Sequence, residues 1–385
     1  MTIGIDIRVL ARGARTGVEE YTLNLLPCLF DLDKSIQYKL FYNAFQKEIL
    51  DYPWLGLPNV RLYDFRIPNR FLFVFARYLR QPKIDRLLKG VDIFFNPHFF
   101  VAPVSLRCKK IITFHDLSFE HHPQFFSWRK RGWQRFLMNA RSEAKKADKI
   151  IAVSESTKED LISLYKIEPE KIKVIYSGVN KEFRIKNLEL RIKEKIKKKY
   201  GLPDKFILYF GTIEPRKNII GLIKAFELLK SKSGFKLVIA GAKGWLCQDI
   251  FKTAGESKYG QDIIFTGFIE EKDKPELYNL AELFVYPSFF EGFGFPPLEA
   301  MACAKPIIIN NDYSAKEAVE NGVNGFLCKP NDLDYWVSKI SRLINYSPSR
   351  DKMGLASLKK VGKEFQWKIA VPKHIQVFKS LRPNI

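Results

Sequence analysis

The chain has 385 residues, of which 46% are hydrophobic and 28% charged; this excludes a disordered chain and a fibrous repeat and allows two or three domains. Lysine and arginine number 64 against 42 aspartate and glutamate, so the formal net charge is +22. Such an excess indicates an anionic partner: a nucleic acid, phospholipid head groups or a phosphorylated substrate.

The five cysteines lie far apart and include no Cys-x-x-Cys pair, so we expect neither a disulfide framework nor a zinc site. No apolar run approaches the ~18 residues of a membrane span. The sequence after Met1 is strand-like and does not resemble a signal peptide. We therefore expect a cytoplasmic protein that is neither secreted nor membrane-spanning.

Short apolar runs alternate with segments of helical length along the chain. The first half has strand candidates at residues 3–9, 38–42, 60–63, 93–95, 111–114, 150–153 and 174–176. The second half has them at Phe206–Phe210, Lys236–Ala240, 263–266, Leu283–Tyr286 and 306–309. Several runs are continuously apolar, which is typical of parallel strands covered on both faces. Their alternation with helices predicts an α/β fold made of doubly wound sheets.

Local signals mark two helices and a domain boundary. Residues 218–230 carry apolar side chains at helical spacing. Ser156 and Glu159 form a capping box that predicts a helix start. Residues 184–199 hold eight basic and two acidic residues, which indicates a solvated, mostly helical connector. We place the boundary near residue 180 and expect a cleft where the strands end.

Two stretches of the first half, residues 66–89 and 128–149, combine basic and aromatic side chains. Such composition favours the interface of an anionic bilayer. The same composition can bind RNA through phosphate contacts and base stacking, or can place aromatic residues in a core with the charge outside. Because two such stretches occur, we expect contact with a membrane surface.

His115 and Asp116 follow the predicted strand 111–114, so they lie at a carboxyl end, where side chains can touch a substrate. A structural His–Asp pair that caps the strand is the alternative. His121 and His122 lie nearby, but their spacing fits no common metal-ligand pattern, so we expect no metal there.

Arg216 and Lys217 stand between the strand Phe206–Phe210 and the predicted helix 218–230. A forked guanidinium and a compact ammonium together suit the oxygens of a diphosphate. The alternative is a pair of surface cations beside an N-cap residue, Asn218.

The densest chemical signal is the segment 291–299, Glu-Gly-Phe-Gly-Phe-Pro-Pro-Leu-Glu, which follows the strand Leu283–Tyr286. Its glycines let backbone N–H groups approach a ligand, and its prolines suit the first turn of a helix. Helix N-termini attract anions, so the carboxylate Glu299 makes sense there if it accepts hydrogen bonds from ribose or sugar hydroxyls. Otherwise Glu299 only complements the helix dipole and Glu291 is an exposed loop residue.

These two motifs, in this order and 75 positions apart (216 to 291), resemble the GT-B-fold retaining glycosyltransferases of family 4. The resemblance covers the whole chain. It implies two Rossmann-like domains that face each other across a cleft. Residues 1–180 would form the acceptor side and residues 181–364 would bind the nucleotide sugar, while residues 365–385 would pack back on the first domain.

The resemblance also implies roles for individual residues. Glu299 would hold the ribose hydroxyls, Glu291 a hydroxyl of the transferred sugar, and His115 would touch that sugar. The whole donor-binding set is implied to be Gly17, Arg216, Lys217, Ile269, Glu291, Phe293, Gly294, Phe295, Leu298 and Glu299. Backbone groups at 293–295 would meet the sugar, and the turn 267–269 the nucleobase. The implied catalytic set is His115, Asp116, Glu291, Arg216 and Lys217. Thr16 stands before Gly17 where many members have another glycine.

The implied reaction moves a hexose from a nucleoside diphosphate to a hydroxyl of a glycan or lipid-linked acceptor, with retention at the anomeric carbon. The block 115–118 and the match through residues 153–155 look most similar to mannosyltransferases of bacterial polysaccharide assembly. We therefore expect GDP-mannose as the donor, with a UDP- or dTDP-sugar as the alternative. No carboxylate pair is assigned as nucleophile and acid.

We expect no cofactor and no metal, because Arg216 and Lys217 offer fixed positive charge to the departing diphosphate. The Asp-x-Asp triplets at 31–33 and 332–334 lie in polar turns or helix starts, which does not favour a metal site. Two rivals stay open: a protein that binds RNA or another polyanion, and a phosphorylase or epimerase of the same fold. Nucleic acid is not an expected partner, whereas peripheral contact with the inner face of the cell membrane is.

Overall fold

The computed structural model describes residues 1–12, 16–45, 50–132, 138–185, 187–230, 234–311 and 314–381. The chain forms two compact units, one made of Met1–Gly178 with Trp367–Ile385 and the other of Val179–Gln366. Each unit is a parallel sheet with helices, so the predicted α/β fold class is confirmed.

The first unit is built on strands that run parallel throughout its sheet. They are β1 Thr2–Asp6, β2 Gln37–Asn43, β3 Val60–Phe65, β4 Ile93–Asn96, β5 Lys109–Phe114, β6 Lys149–Ala152 and β7 Ile172–Val174. Their order across the sheet is β3-β2-β1-β4-β5-β6-β7. Its helices are α1 Gly17–Leu32, α2 Asn69–Val74, α3 Ile84–Leu87, α4 Ser118–His121, α5 Trp128–Gly132, α6 Ala140–Lys146 and α7 Glu155–Tyr165.

The last helix of the chain, α16 Trp367–Ser380, also packs in the first unit. Phe378 lies against Phe95 of β4, with ring centroids 5.2 Å apart. The Nδ1 atom of His374 donates to the carbonyl of Ala370 at 2.8 Å, so its Nε2 atom accepts the hydroxyl proton of Tyr21 on α1, also at 2.8 Å. A buried hydrogen bond therefore ties the last helix to the first.

The second unit has strands β8 Phe206–Phe210, β9 Lys236–Ala240, β10 Ile263–Gly267, β11 Leu283–Tyr286, β12 Ile307–Asn310 and β13 Gly325–Cys328. They run parallel in the order β10-β9-β8-β11-β12-β13. Its helices are α8 Leu190–Tyr200, α9 Ile219–Lys230, α10 Gln248–Glu256, α11 Lys274–Leu280, α12 Phe295–Ala302, α13 Ala315–Ala318, α14 Leu333–Asn345 and α15 Ser347–Glu364. The strand order reverses between β8 and β11, and such a point opens a crevice at the carboxyl ends of the two strands.

Three local predictions were wrong. The strand predicted at 3–9 ends at Asp6, because Arg8–Arg12 form a 3₁₀ turn and the guanidinium of Arg8 pairs with Asp6 at 2.6 Å. The strand predicted at 174–176 lies at Ile172–Val174. The predicted capping box at Ser156 is not the helix start; Ser154 caps α7 instead, its hydroxyl oxygen accepting from the backbone of Thr157 at 3.0 Å.

Within the described ranges, no helix combines the length and the apolar composition needed to span a bilayer.

Candidate active site

In the second unit, the loops that follow β8 and β11 meet because these two strands are neighbours at the reversal of strand order. The guanidinium nitrogen Nη1 of Arg216 donates to the carbonyl of Phe290 at 2.5 Å. The backbone N–H of Phe289 donates to the carbonyl of Arg216 at 2.9 Å. These bonds hold the two sequence motifs side by side.

A charge cluster forms where the loops touch. The ammonium of Lys217 donates to Oε1 of Glu291 and, at 2.8 Å, to the hydroxyl of Tyr286. The same Oε1 atom lies 3.2 Å from Nη1 of Arg216 and accepts from the Tyr286 hydroxyl at 3.2 Å. The sequence analysis assigned Glu291 to a sugar and the two cations to a diphosphate, and the structure brings all three into direct contact.

The charges in this cluster shift one another's protonation. Burial opposes ionisation of Glu291, but the adjacent Arg216 and Lys217 outweigh it and lower the pKa of Glu291 to about 2. Burial, and next the charge of Arg216, lower the pKa of Lys217 from its ordinary value. The carboxylate of Glu291 is therefore ionised at neutral pH and available as an acceptor.

Glu214 is a further member of this cluster that the sequence analysis missed. Its carboxylate is only 1% exposed, and Oε1 accepts from Nε of Arg216 at 3.1 Å and lies 2.9 Å from Nη2. The formal charges of Glu214, Arg216, Lys217 and Glu291 sum to zero. A signal was present, since an acidic residue two positions before Arg216 in a strand-end loop is placed to pair with it.

Glu299 lies in α12, which begins at Phe295, so its carboxylate stands in the second turn of the helix. The helix dipole acts mainly within the first turn, so it does not account for this position. Glu299 is 6% exposed, and its Oε2 atom accepts from the hydroxyl of Tyr278 on α11 at 2.7 Å. Burial and then the Glu299 charge raise the pKa of Tyr278, so this phenol stays a donor. The arrangement holds a buried carboxylate in one orientation.

The glycine-rich turn before α12 presents backbone rather than side chains. Gly294 has a φ of 83°, a conformation that favours glycine, and it is the N-cap of α12. The side chains of Phe293 and Leu298 are buried, and that of Phe295 is partly buried. Phe293 and Leu298 can therefore contact a ligand mainly through their backbone, as the resemblance implied for 293–295. A small pocket beside this turn is lined by Glu291 among others.

Ile269, implied to face the nucleobase, has its side chain buried in the second unit at 1% exposure. Contact with a base at this turn would involve its backbone or the exposed neighbour Phe268.

In the first unit, Gly17 is the first residue of α1, and a Cβ atom placed there would meet no heavy atom within 4 Å. The space at the Cβ position of Gly17 is therefore open with respect to the described residues. The preceding Thr16 is held by the carboxylate of Glu19, which accepts its backbone N–H at 3.2 Å. The rest of the predicted loop, residues 13–15, lies outside the described residues.

His115 follows β5, as predicted, and is held in one tautomer. Because a carbonyl can only accept, Nε2 of His115 donates to the carbonyl of Pro97 at 2.7 Å, which leaves Nδ1 as an acceptor. Burial lowers the pKa of His115, and its ring and that of Tyr21 form a T-shaped contact with centroids 4.8 Å apart. The carboxylate of Asp116 instead accepts from the backbone and hydroxyl of Ser118, the first residue of α4, at 3.0 and 2.7 Å.

Two other candidate metal residues, Asp332 and His121, have structural partners. Asp332 caps α14 by accepting from the backbone of Tyr335 at 3.1 Å, and His121 pairs with Asp160 at 2.8 Å. Over the part of the chain that the structure describes, no three His, Cys, Asp or Glu side chains gather as a metal site would require.

Comparison with known proteins gives a consistent result. Two family models match the chain: Glycosyltransferase Family 4 over residues 15–183 and Glycosyl transferases group 1 over residues 192–360. The O-antigen chain mannosyltransferase B of Escherichia coli is 30% identical over 390 residues, which covers 95% of this chain and 96% of that protein. The O-antigen chain mannosyltransferase RfbU of Salmonella typhimurium is 26% identical over 334 residues, covering 85% and 87% of the two chains.

Solved structures share the fold along the chain. Sucrose-phosphate synthase from Thermosynechococcus elongatus has a TM-score of 0.80 at 18% identity, with 99% of both chains covered. Anabaena HepE, solved with UDP and glucose, has a TM-score of 0.77 at 19% identity, with 99% of this chain and 100% of that chain covered. At this identity the likeness concerns the fold.

Proposed function

The chain belongs to the GT-B-fold glycosyltransferases of family 4, and on this premise we propose that it transfers mannose, with retention, from GDP-mannose to a hydroxyl of a polysaccharide or lipid-linked glycan. The observation that carries the proposal is the buried cluster of Arg216, Lys217 and Glu291 at the carboxyl ends of β8 and β11. The names of the two relatives, both O-antigen chain mannosyltransferases, support mannose as the sugar. A UDP-sugar is the second candidate, because HepE was solved with UDP.

The donor diphosphate competes with Glu291 for the two cations. Without a ligand, Glu291 and Glu214 neutralise Lys217 and Arg216, so the cluster carries no net charge. A diphosphate oxygen that takes Glu291's place on the Lys217 ammonium releases Oε1 to accept a hydrogen bond from a hydroxyl of the sugar. After the exchange Lys217 still has an anionic partner, and the released oxygen of Glu291 still accepts a hydrogen bond.

The nucleotide's ribose is held at α12. The carboxylate of Glu299, oriented by the Tyr278 hydroxyl, accepts hydrogen bonds from the two ribose hydroxyls. The backbone of the turn at Gly294 binds the sugar. In the first unit, Nδ1 of the neutral His115 is the acceptor offered to a substrate hydroxyl.

In the transfer step, the acceptor oxygen forms a bond to the anomeric carbon while the bond from that carbon to the diphosphate oxygen breaks. The acceptor's proton passes to the leaving phosphate oxygen. This direct transfer requires the acceptor hydroxyl and the departing diphosphate to lie on the same face of the sugar. Negative charge grows on the diphosphate as the bond breaks, and Lys217 and Arg216 stabilise it. No divalent cation is needed for this step.

The decisive experiment is a screen of GDP-, UDP-, ADP- and dTDP-sugars for thermal stabilisation of the full chain. A ligand at 100 times its Kd adds roughly 2.7 kcal/mol, so the true donor raises Tm measurably. We expect GDP-mannose to give the largest shift, with free mannose as the control. NMR of the first-formed product then reports the anomeric configuration, which is α if the α-configured donor reacts with retention.

Other outcomes identify the rivals. Steeply salt-dependent RNA binding, with no shift from any nucleotide sugar, would support a polyanion-binding protein. Turnover that requires inorganic phosphate and no acceptor would support a phosphorylase.

We also propose that the acceptor is met at an anionic membrane surface, so that the protein is peripheral at the inner face of the cell membrane. The basic aromatic composition of residues 66–89 and 128–149 supports this location.

A further inference from the structure

An apolar stripe lies exposed on the first unit. The helix α2, Asn69–Val74, continues into a π-helical turn, Phe75–Leu79. Large apolar side chains on this segment are between 44% and 64% exposed: Phe71, Val74, Phe75, Tyr78 and Leu79. Their spacing of i, i+3, i+4, i+7 and i+8 places them on one face of the helix. We call these five residues the exposed stripe.

The opposite face of the same segment is already used by the fold. Leu72 and Ala76 are almost fully buried, and Leu72 belongs to a core cluster with Ile84, Leu88 and Phe94. The segment is therefore anchored through this face, and the stripe is exposed on the part of the unit that the structure describes. Contiguous exposed apolar side chains of this kind mark an interaction surface.

The charge around the stripe is of one sign. Residues 66–80 include four arginines and no acidic residue. Arg66 and Arg70 are exposed, whereas Arg80 turns inward and donates to Glu143 at 2.7 Å. Arg77 lies over the Tyr78 ring, 5.5 Å from its centroid. An apolar face bordered by arginines suits an anionic partner with an apolar interior.

The second basic stretch, 128–149, adds to the positive charge. Its two acidic residues are paired with cations from outside the stretch: Glu143 pairs with Arg80 and the buried Lys110, and Asp148 pairs with Lys109 at 3.0 Å. Trp128 is 72% exposed. Residues 133–137 of this stretch lie outside the described residues.

A second copy of the chain fits this surface poorly. Two stripes packed face to face by a twofold axis would bring the exposed Arg66 and Arg70 of each copy together, with no acidic residue from the segment to pair with them. An anionic bilayer suits both the arginines and the apolar side chains. Its head groups pair with arginines, and its acyl boundary receives aromatic side chains.

We propose that the exposed stripe inserts into the interface of an anionic bilayer, with Arg66 and Arg70 at the head groups, and holds the first unit at the membrane. This rests on the proposed function only in that a lipid-linked acceptor is met there. Binding itself depends on the stripe and the arginines.

The test compares vesicle binding by the full chain and two matched variants. Phe71→Ser/Phe75→Ser, the stripe variant, removes two aromatic rings from the stripe. The second-unit variant, Tyr346→Ser/Leu355→Ser, removes two large side chains that are each 59% exposed. All four sites are on the surface, so both variants should keep the parent's Tm and circular dichroism. Sedimentation is measured with phosphatidylcholine vesicles and with vesicles containing about a third phosphatidylglycerol.

We expect the parent and the second-unit variant to bind the anionic vesicles and the stripe variant to lose at least about tenfold in affinity. Arg66→Gln/Arg70→Gln should weaken binding and flatten its dependence on salt. Equal binding by parent and stripe variant, or no binding by the parent, would overturn the proposal. So would a parent dimer that the stripe variant abolishes without any vesicle binding.

The result of the vesicle-binding test can be distinguished from that of the nucleotide-sugar screen. Because the stripe belongs to the first unit and the charge cluster to the second, the stripe variant should keep the parent's Tm shift with the nucleotide sugar. Vesicle binding without any nucleotide-sugar shift would refute the proposed function and leave the stripe's role intact. The reverse pattern would refute the stripe alone.

Discussion

The carboxylate of Glu214 contacts two nitrogens of the Arg216 guanidinium, Nε at 3.1 Å and Nη2 at 2.9 Å. The third nitrogen, Nη1, is thereby aimed at the carbonyl of Phe290 and at Glu291. Glu214 thus positions the residue that joins the two loops of the charge cluster.

Glu214→Gln should lower kcat by about tenfold or more, because it weakens a charge-assisted pair that is nearly unexposed. KM for the acceptor should change little, since the residue acts through Arg216. Initial rates are compared with Glu282→Gln, which breaks a pair with Arg350 at 2.8 Å elsewhere in the unit. If the two substitutions lower Tm by the same amount and neither lowers kcat, Glu214 stabilises the fold and does not position Arg216 for catalysis.

Lys217→Ala should lower kcat by ~10²–10³, the cost of losing one group that stabilises charge developing in the transition state. Affinity for the product nucleotide should fall less, because Arg216 remains to hold the diphosphate. Initial rates and calorimetry with the nucleotide measure the two effects, with Lys236→Ala as a control cation in the same unit. A parent-like kcat would remove Lys217 from the diphosphate site.

Glu299→Ala should weaken binding of the nucleotide by a factor on the order of 10² or more, since two charge-assisted hydrogen bonds of ~1.5–3 kcal/mol each are lost. Tyr278→Phe keeps the carboxylate and removes only its hydroxyl donor, so it should cost about tenfold. Calorimetry with the free nucleotide checks both. The ribose assignment fails if Glu299→Ala binds the nucleotide as the parent does.

Turnover should survive excess EDTA, because Arg216 and Lys217 supply the positive charge that a divalent ion supplies in other transferases. Initial rates with and without the chelator, after dialysis against it, make the comparison. An absolute requirement for Mg²⁺ or Mn²⁺ would contradict the expected metal independence.

The buried His374 should make stability depend on pH. Burial lowers the pKa of His374 to about 4, below its ordinary value of 6.5. Between these two pH values the unfolded chain binds the proton and the folded chain does not. The contribution of His374 to the free energy of unfolding is therefore complete above pH 6.5 and is lost as pH falls toward 4. The full loss is about 3 kcal/mol at most.

His374→Gln cannot take up that proton, so the difference in Tm between parent and variant should shrink as pH falls from 7 to 4.5. Calorimetry at both values measures it. A difference that stays constant with pH would show that His374 does not titrate in this range.

The sequence by itself determined the fold class and most strands. Phe206–Phe210, Lys236–Ala240 and Leu283–Tyr286 lie where the apolar runs predicted them, because a strand covered on both faces is apolar at nearly every position. The short strand β13 was missed: its residues, Gly325–Cys328, follow turn-forming residues and are too few to show a pattern. Helix starts were less certain because several nearby hydroxyls compete to cap, as Ser154 and Ser156 do.

The tertiary structure decided which residues act together. The loop of Arg216 and Lys217 reaches Glu291 only because β8 and β11, distant in sequence, are neighbours in the sheet. Strand order is set by long-range packing, and local patterns carry no record of it. The same holds for the stripe: residues 71–79 have apolar side chains on more than one face, and a helix at the surface can bury only the face turned to its sheet.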